Sequence, residues 1–130
     1  MVGQGAFCGI DIKHLIFTNS ETVISDYAFA NCETLETITF PEEGVASIGN
    51  SAFRYAEKLT SVNLDKVKTV GDYAFSNTGL TEVILAEGAT YGEGAFFSSK
   101  LERVTVGKNT SFGMGAFQRC TALKQVVMPS

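Results

Sequence analysis

The sequence predicts an α/β repeat solenoid of six stacked units, each holding one strand and one short helical turn. Three observations predict it. The dipeptide Ala-Phe recurs six times, starting at Ala6, Ala28, Ala52, Ala74, Ala95 and Ala116, at intervals of 22, 24, 22, 21 and 21 residues. Five or six residues after each phenylalanine an aliphatic residue opens a segment that alternates apolar and other residues, as a strand with one buried face does. The chain has 130 residues, 45% hydrophobic and 18% charged, which is one domain with material for a core. A unit of about 22 residues cannot enclose a core alone, whereas stacked copies cover each other's apolar edges.

Each unit opens on a large apolar residue four positions before its alanine: Val2, Ile24, Ile48, Val70, Tyr91 and Phe112. A glycine follows it, or Ser25 in the second unit, and glycine there suits a positive φ or a tight corner. Around Ala-Phe, apolar or small residues lie four apart, as in Ile24, Ala28 and Cys32, which predicts a short helical turn. Such a turn is marginal alone and must lean on its neighbours. A small residue three positions after the phenylalanine (Cys32, Ala56, Thr78, Ser99, Cys120) lets it approach the strand layer closely, and the first unit breaks this rule with Ile10. The strand follows, with Leu15, Ile38, Val62, Val83, Val104 and Val126 at its centre. Strands one unit apart align as a parallel sheet spaced by ~4.8 Å, and the phenylalanines stack inside as a ladder.

Fourteen acidic and ten basic residues leave a net charge of −4, which disfavours a general nucleic-acid binder. No apolar run approaches the ~18 residues of a membrane span. The opening Met1–Phe7 lacks a charged region followed by an apolar stretch, so the expectation is no signal peptide in this chain, which leaves the compartment open. Cys8, Cys32 and Cys120 are widely spaced and there is one histidine, His14, so neither a zinc site nor a nucleophilic triad is predicted. Cys32 and Cys120 lie four units apart, ~19 Å by strand spacing, too far for a disulfide. Gly107-Lys108 lacks the earlier glycine of a phosphate loop, and Asn109-Thr110-Ser111 is a formal glycosylation sequon. No catalytic, cofactor-binding or metal-binding residue is therefore assigned, and no enzymatic function is expected.

Segments such as Ile48-Gly49-Asn50-Ser51-Ala52-Phe53, running on to Lys58-Leu59-Thr60-Ser61-Val62-Asn63-Leu64, resemble BspA-type (Treponema pallidum-type) leucine-rich repeats. The resemblance covers Val2 to Pro129 as a single domain, 1–130, of six repeats. The proline common in this family after the strand is present at Pro41 and Pro129 only, and the asparagine ladder of commoner leucine-rich repeats is missing. The resemblance implies a leucine-rich-repeat right-handed superhelix, with parallel strands on the concave face and short helical turns on the convex side. It also implies an extracellular or cell-surface adhesin-like module that binds host or microbial proteins or glycans. The alternative is an intracellular or structural scaffold built from the same repeat.

Strand alternation turns the residues flanking each central aliphatic away from the core. The candidate binding face is Thr37, Thr39, Ser61, Asn63, Glu82, Ile84, Arg103, Thr105 and Gln125. Glu82 and Arg103 fall in adjacent rows and are expected to pair. The threonines suit a strand whether or not they bind anything. His14, in the outermost row, lacks the positioned partners that acid–base work needs. Residues 1–65 carry 9 acidic and 3 basic groups, and residues 66–130 carry 5 and 7. Both ends also lack polar caps. The expectation is a longer array or end-to-end association, which the charge gradient would favour head to tail.

Overall fold

A computed structural model describes residues 1–129. In chain order its strands are β1 (His14–Ile16), β2 (Val23–Ile24), β3 (Thr37–Thr39), β4 (Ser47–Ile48), β5 (Thr69–Val70), β6 (Glu82–Ile84), β7 (Thr90–Tyr91), β8 (Arg103–Thr105), β9 (Ser111–Phe112) and β10 (Gln125–Val127). All pair in parallel between successive units, giving a parallel β-solenoid of about five turns.

One wall is the expected sheet, with register as predicted: Leu15 opposite Ile38, and Val83 opposite Val104 opposite Val126. It is broken in the middle. The β1–β3 pair and the β6–β8–β10 sheet are separate, and Ser61–Asn63 of the third unit joins neither. Asn63 accounts for this locally. Its side-chain carbonyl accepts the Asp65 backbone N–H at 3.2 Å, curling the chain into a turn where a ladder would continue.

The second wall was not anticipated as a sheet. The apolar residue before each glycine sits on a two-residue strand, in the order β2–β4–β5–β7–β9, with Val2 bridging to Ile24. Behind it the glycines form a column in which units meet backbone to backbone. A Cβ on Gly49, Gly71, Gly92 or Gly113 would come within 2.7 Å of atoms of the preceding unit. Next to this column runs a ladder of acidic and amide side chains. Asp26 Oδ1 accepts the Asn50 N–H, Asn50 Oδ1 the Asp72 N–H, and Asp72 Oδ1 the Glu93 N–H, each at 2.8 Å.

The third wall is the Ala-Phe segment, and here the prediction of short helical turns fails: no residue of the described chain is helical. Each segment has i→i−3 turns, such as Ala28 N–H to Ser25 O and Ala30 N–H to Tyr27 O. The residue before each alanine and the second after each phenylalanine adopt positive φ in all six units. Examples are Tyr27 (59°) with Asn31 (59°), and Tyr73 (55°) with Asn77 (58°). Two left-handed residues four apart cannot lie in a right-handed helix. They do set the apolar side chains four apart, which mimics helical spacing. They also turn N–H groups toward the next unit, so that Phe29, Phe53, Phe75 and Phe96 each donate to the alanine carbonyl of the following unit at 2.8–2.9 Å.

The core is the enclosed column. Phe7, Phe29, Phe53, Phe75, Phe96 and Phe117 stack in sequence with centroids 5.2, 5.5, 5.4, 5.8 and 5.3 Å apart and planes within 12°. Leu35, Leu59, Leu80 and Leu101 are fully buried beside them. The small-residue position is buried as expected at Cys32, Ala56, Thr78, Ser99 and Cys120. Its polar atoms stay satisfied: Thr78 Oγ1 donates to Phe75 O at 2.9 Å and Cys120 Sγ to Phe96 O at 3.1 Å.

Candidate functional site

The strand face is positioned by alternation on β1, β3, β6, β8 and β10. Its central residues Ile38, Val83 and Val104 point into the core and are buried, which turns their neighbours outward. Thr37, Thr39, Glu82, Ile84, Arg103 and Gln125 are exposed, and Thr105 is half-buried. Rows meet in register: His14 with Thr37, Glu82 with Arg103, and Ile84 with Thr105. Ser61 and Asn63 are also exposed but lie off the sheet, in the interruption. Seven of the nine candidate residues thus form two patches flanking a gap that holds Ser61 and Asn63, rather than one continuous ladder.

The pair expected from the rows is present, and a second contact that was not expected joins it. Arg103 Nη1 lies 3.7 Å from a Glu82 carboxylate oxygen, both side chains being about half exposed. A solvated pair of this kind contributes ~0–1 kcal/mol. His14 Nδ1 is 2.7 Å from Thr37 Oγ1, so the histidine is engaged by a hydroxyl across the sheet.

The gap itself forms a shallow cleft of about 400 Å³, lined by Thr37, Ile38, Ser61, Val62, Asn63, Leu64, Glu82 and Ile84. Hydroxyls, one amide and one carboxylate share it with aliphatic surface. Of the exposed apolar side chains on this face, Ile84 (54%) lines the cleft and Ile16 (71%) stands one unit away from it, beyond β3. The sequence rows included Ile84, but the cleft depends on the broken ladder, for which the turn chemistry of Asn63-Leu64-Asp65 was the available signal.

The titratable groups that depart from ordinary behaviour lie in the core. Burial pushes the Cys32 thiol up, against weaker opposing hydrogen bonds from the Ile10 and Gly9 backbone. Burial likewise raises the Tyr91 phenol well above its usual range, and its hydroxyl has no hydrogen-bond partner. Cys8, Cys32 and Cys120 are all free thiols. Among the described residues no three His, Cys, Asp or Glu side chains converge as metal ligands would. No described helix is long and apolar enough to cross a membrane.

The BspA type leucine-rich repeat region matches the chain over residues 1–129, in six copies. Among solved structures, the chain is similar to a leucine-rich repeat protein from Bacteroides ovatus, at 27% identity and a TM-score of 0.64. The match covers 98% of this chain and 40% of that one. It is also similar to a leucine-rich cell surface protein from Faecalibacterium prausnitzii, at 23% identity and a TM-score of 0.66, over 98% of this chain and 42% of that one. At that identity the second likeness shows the fold. The chain spans about two-fifths of the length of either structure. No curated protein matches it.

Proposed function

Because the chain belongs to the BspA-type leucine-rich repeat family, we propose that it is a non-enzymatic interaction module whose strand face recognises a protein ligand. One observation carries this reading. The face holds an exposed isoleucine, Ile84, in a cleft lined with hydroxyl, amide and carboxylate groups, and a second, Ile16, one unit beyond it. Isoleucine, like threonine, suits a strand on its own account, but in an outward position it leaves apolar surface in water. A protein interface uses such residues as its apolar centre, with polar groups at the rim. A surface or secreted, adhesin-like setting accords with the family and with the cell-surface description of the Faecalibacterium prausnitzii protein.

The test is a binding screen against host matrix proteins and other microbial surface proteins, followed by face variants. Ile84→Lys is expected to weaken a ligand so found by about tenfold or more, since central apolar contacts dominate such interfaces. Arg103→Ala and Thr39→Ala are expected to have smaller effects in the same direction. Unaltered affinity in all three would move the site off the strand face.

A further inference from the structure

The first and sixth units present two faces that match each other. Inside the stack each unit covers the next, so Phe29, Phe53, Phe75 and Phe96 are at most 3% exposed, whereas Phe7 is 44% exposed. On the opposite face Phe112 and Val126 are exposed, where Tyr91 and Val104 of the fifth unit are buried. The backbone matches as well. On the Ala-Phe wall each unit gives three N–H groups to the next, as Tyr73, Phe75 and Asn77 donate to the Glu93, Ala95 and Phe97 carbonyls. The same positions of the sixth unit, Gly115, Phe117 and Arg119, donate to nothing among the described residues. The accepting positions of the first unit, the Gln4, Ala6 and Cys8 carbonyls, receive nothing there either.

Gly3 shows what fits the first face. It stands in the column of Gly49, Gly71, Gly92 and Gly113, where a Cβ would come within 2.7 Å of the preceding unit. A Cβ on Gly3 meets nothing within 4 Å, and Gly3 is not among the residues with positive φ. Nothing within one chain therefore requires a glycine there. A further unit of the same kind, stacked on that face, would require it for the same backbone-to-backbone contact that the other four make.

We propose that the sixth unit of one copy receives the first unit of a second copy, head to tail, so that Phe117 stacks on the second copy's Phe7 and the column runs on. Charge selects both the partner and the polarity. Residues 1–45 carry 7 acidic side chains and 1 basic, whereas residues 106–130 carry 3 basic, Lys108, Arg119 and Lys124, and no acidic one. Two sixth units, or two first units, would oppose like charges. Two sixth units would also set the N–H donors of the Ala-Phe wall against each other. Lys13 and Lys124 would fall in one row of the joint, a single exposed like-charge contact worth little against that balance. A joint between unlike faces does not close on itself, so it adds copies in rows. It leaves the strand face free for its own ligand.

Sedimentation of the whole chain from micromolar to millimolar concentration tests this. The weight-average mass is expected to climb from that of one chain past that of two. Gly3→Ala puts a methyl where the arriving unit must sit, and should weaken association by about tenfold or more, as overpacking does. Val126→Lys would bury an unpaired charge in the joint and should block it from the other face. Mixed together, the two variants should form one-to-one dimers and nothing larger, since each keeps the face that the other has lost. Thermal midpoints of the dilute variants separate a blocked joint from a lost fold. A single chain at every concentration, assembly of the unaltered protein that stops at a dimer, or unaltered assembly by Gly3→Ala would each overturn the proposal.

Discussion

Phe75→Ala is expected to destabilise the protein by about 3–5 kcal/mol, the range for emptying a fully buried aromatic site. Phe75 has no exposed surface and is stacked on both sides, 5.4 Å from Phe53 and 5.8 Å from Phe96. Removing it leaves a void that neighbouring units cannot close, because their own rings and leucines are fixed by the same register. Phe7 provides the comparison. It stacks on Phe29 alone and is 44% exposed. Phe7→Ala should therefore cost well under half as much, since cost follows the apolar area lost from burial. Urea titrations followed by circular dichroism would measure both. Equal costs would mean that the ring column does not carry the stack.

Gly71→Ala is expected to be comparably severe, about 3 kcal/mol or more, for a different reason. Here nothing is removed. The added methyl would sit 2.4 Å from Asn50 Oδ1, 2.7 Å from Asn50 N and 2.7 Å from the Gly49 carbonyl carbon. Backbone cannot swing aside as a side chain can, so units three and four must separate, and strain of this kind lies at the upper end of overpacking costs. Separation would also break the hydrogen bond from the Asp72 N–H to Asn50 Oδ1. Gly3→Ala is the control: a Cβ there meets nothing within 4 Å, and its change should stay within ~0.5 kcal/mol. A mild Gly71→Ala would show that the glycine column is not a close backbone contact.

The sheet along the Leu-x-x-Val segments was legible because three-residue strands with an apolar centre, buried in β3, β6 and β8, leave a period of two in the sequence. The pairing of Glu82 with Arg103 followed from the same register. The second sheet was not legible as strands, since two residues, such as Thr69–Val70, show no alternation. The turns were misread as helical for a definite reason. Left-handed residues at both ends of a turn reproduce the spacing of four. Glycine marks those positions only in some units, at Gly5, Gly9, Gly94 and Gly115, while Tyr27, Ser51, Tyr73 and Arg119 hold the same φ without announcing it. The ladder of Asp26, Asn50 and Asp72 was in plain view at the position after the glycines. It leaves no repeat signal, because Asp26, Asn50, Asp72 and Glu93 alternate among three residue types at one position and only their hydrogen bonds unite them. The cleft depends on one side-chain-to-backbone hydrogen bond at Asn63, which no repeat consensus contains.

That copies of one motif are stacked in register, each closing the core of the next, is tested most directly by a crystal structure of the chain. The account predicts electron density for the Phe7, Phe29, Phe53, Phe75, Phe96 and Phe117 rings in one column, with successive centroids 5.2–5.8 Å apart. Rings dispersed through the molecule, or units packed so that Leu15, Ile38, Val83 and Val104 fall out of line, would contradict it.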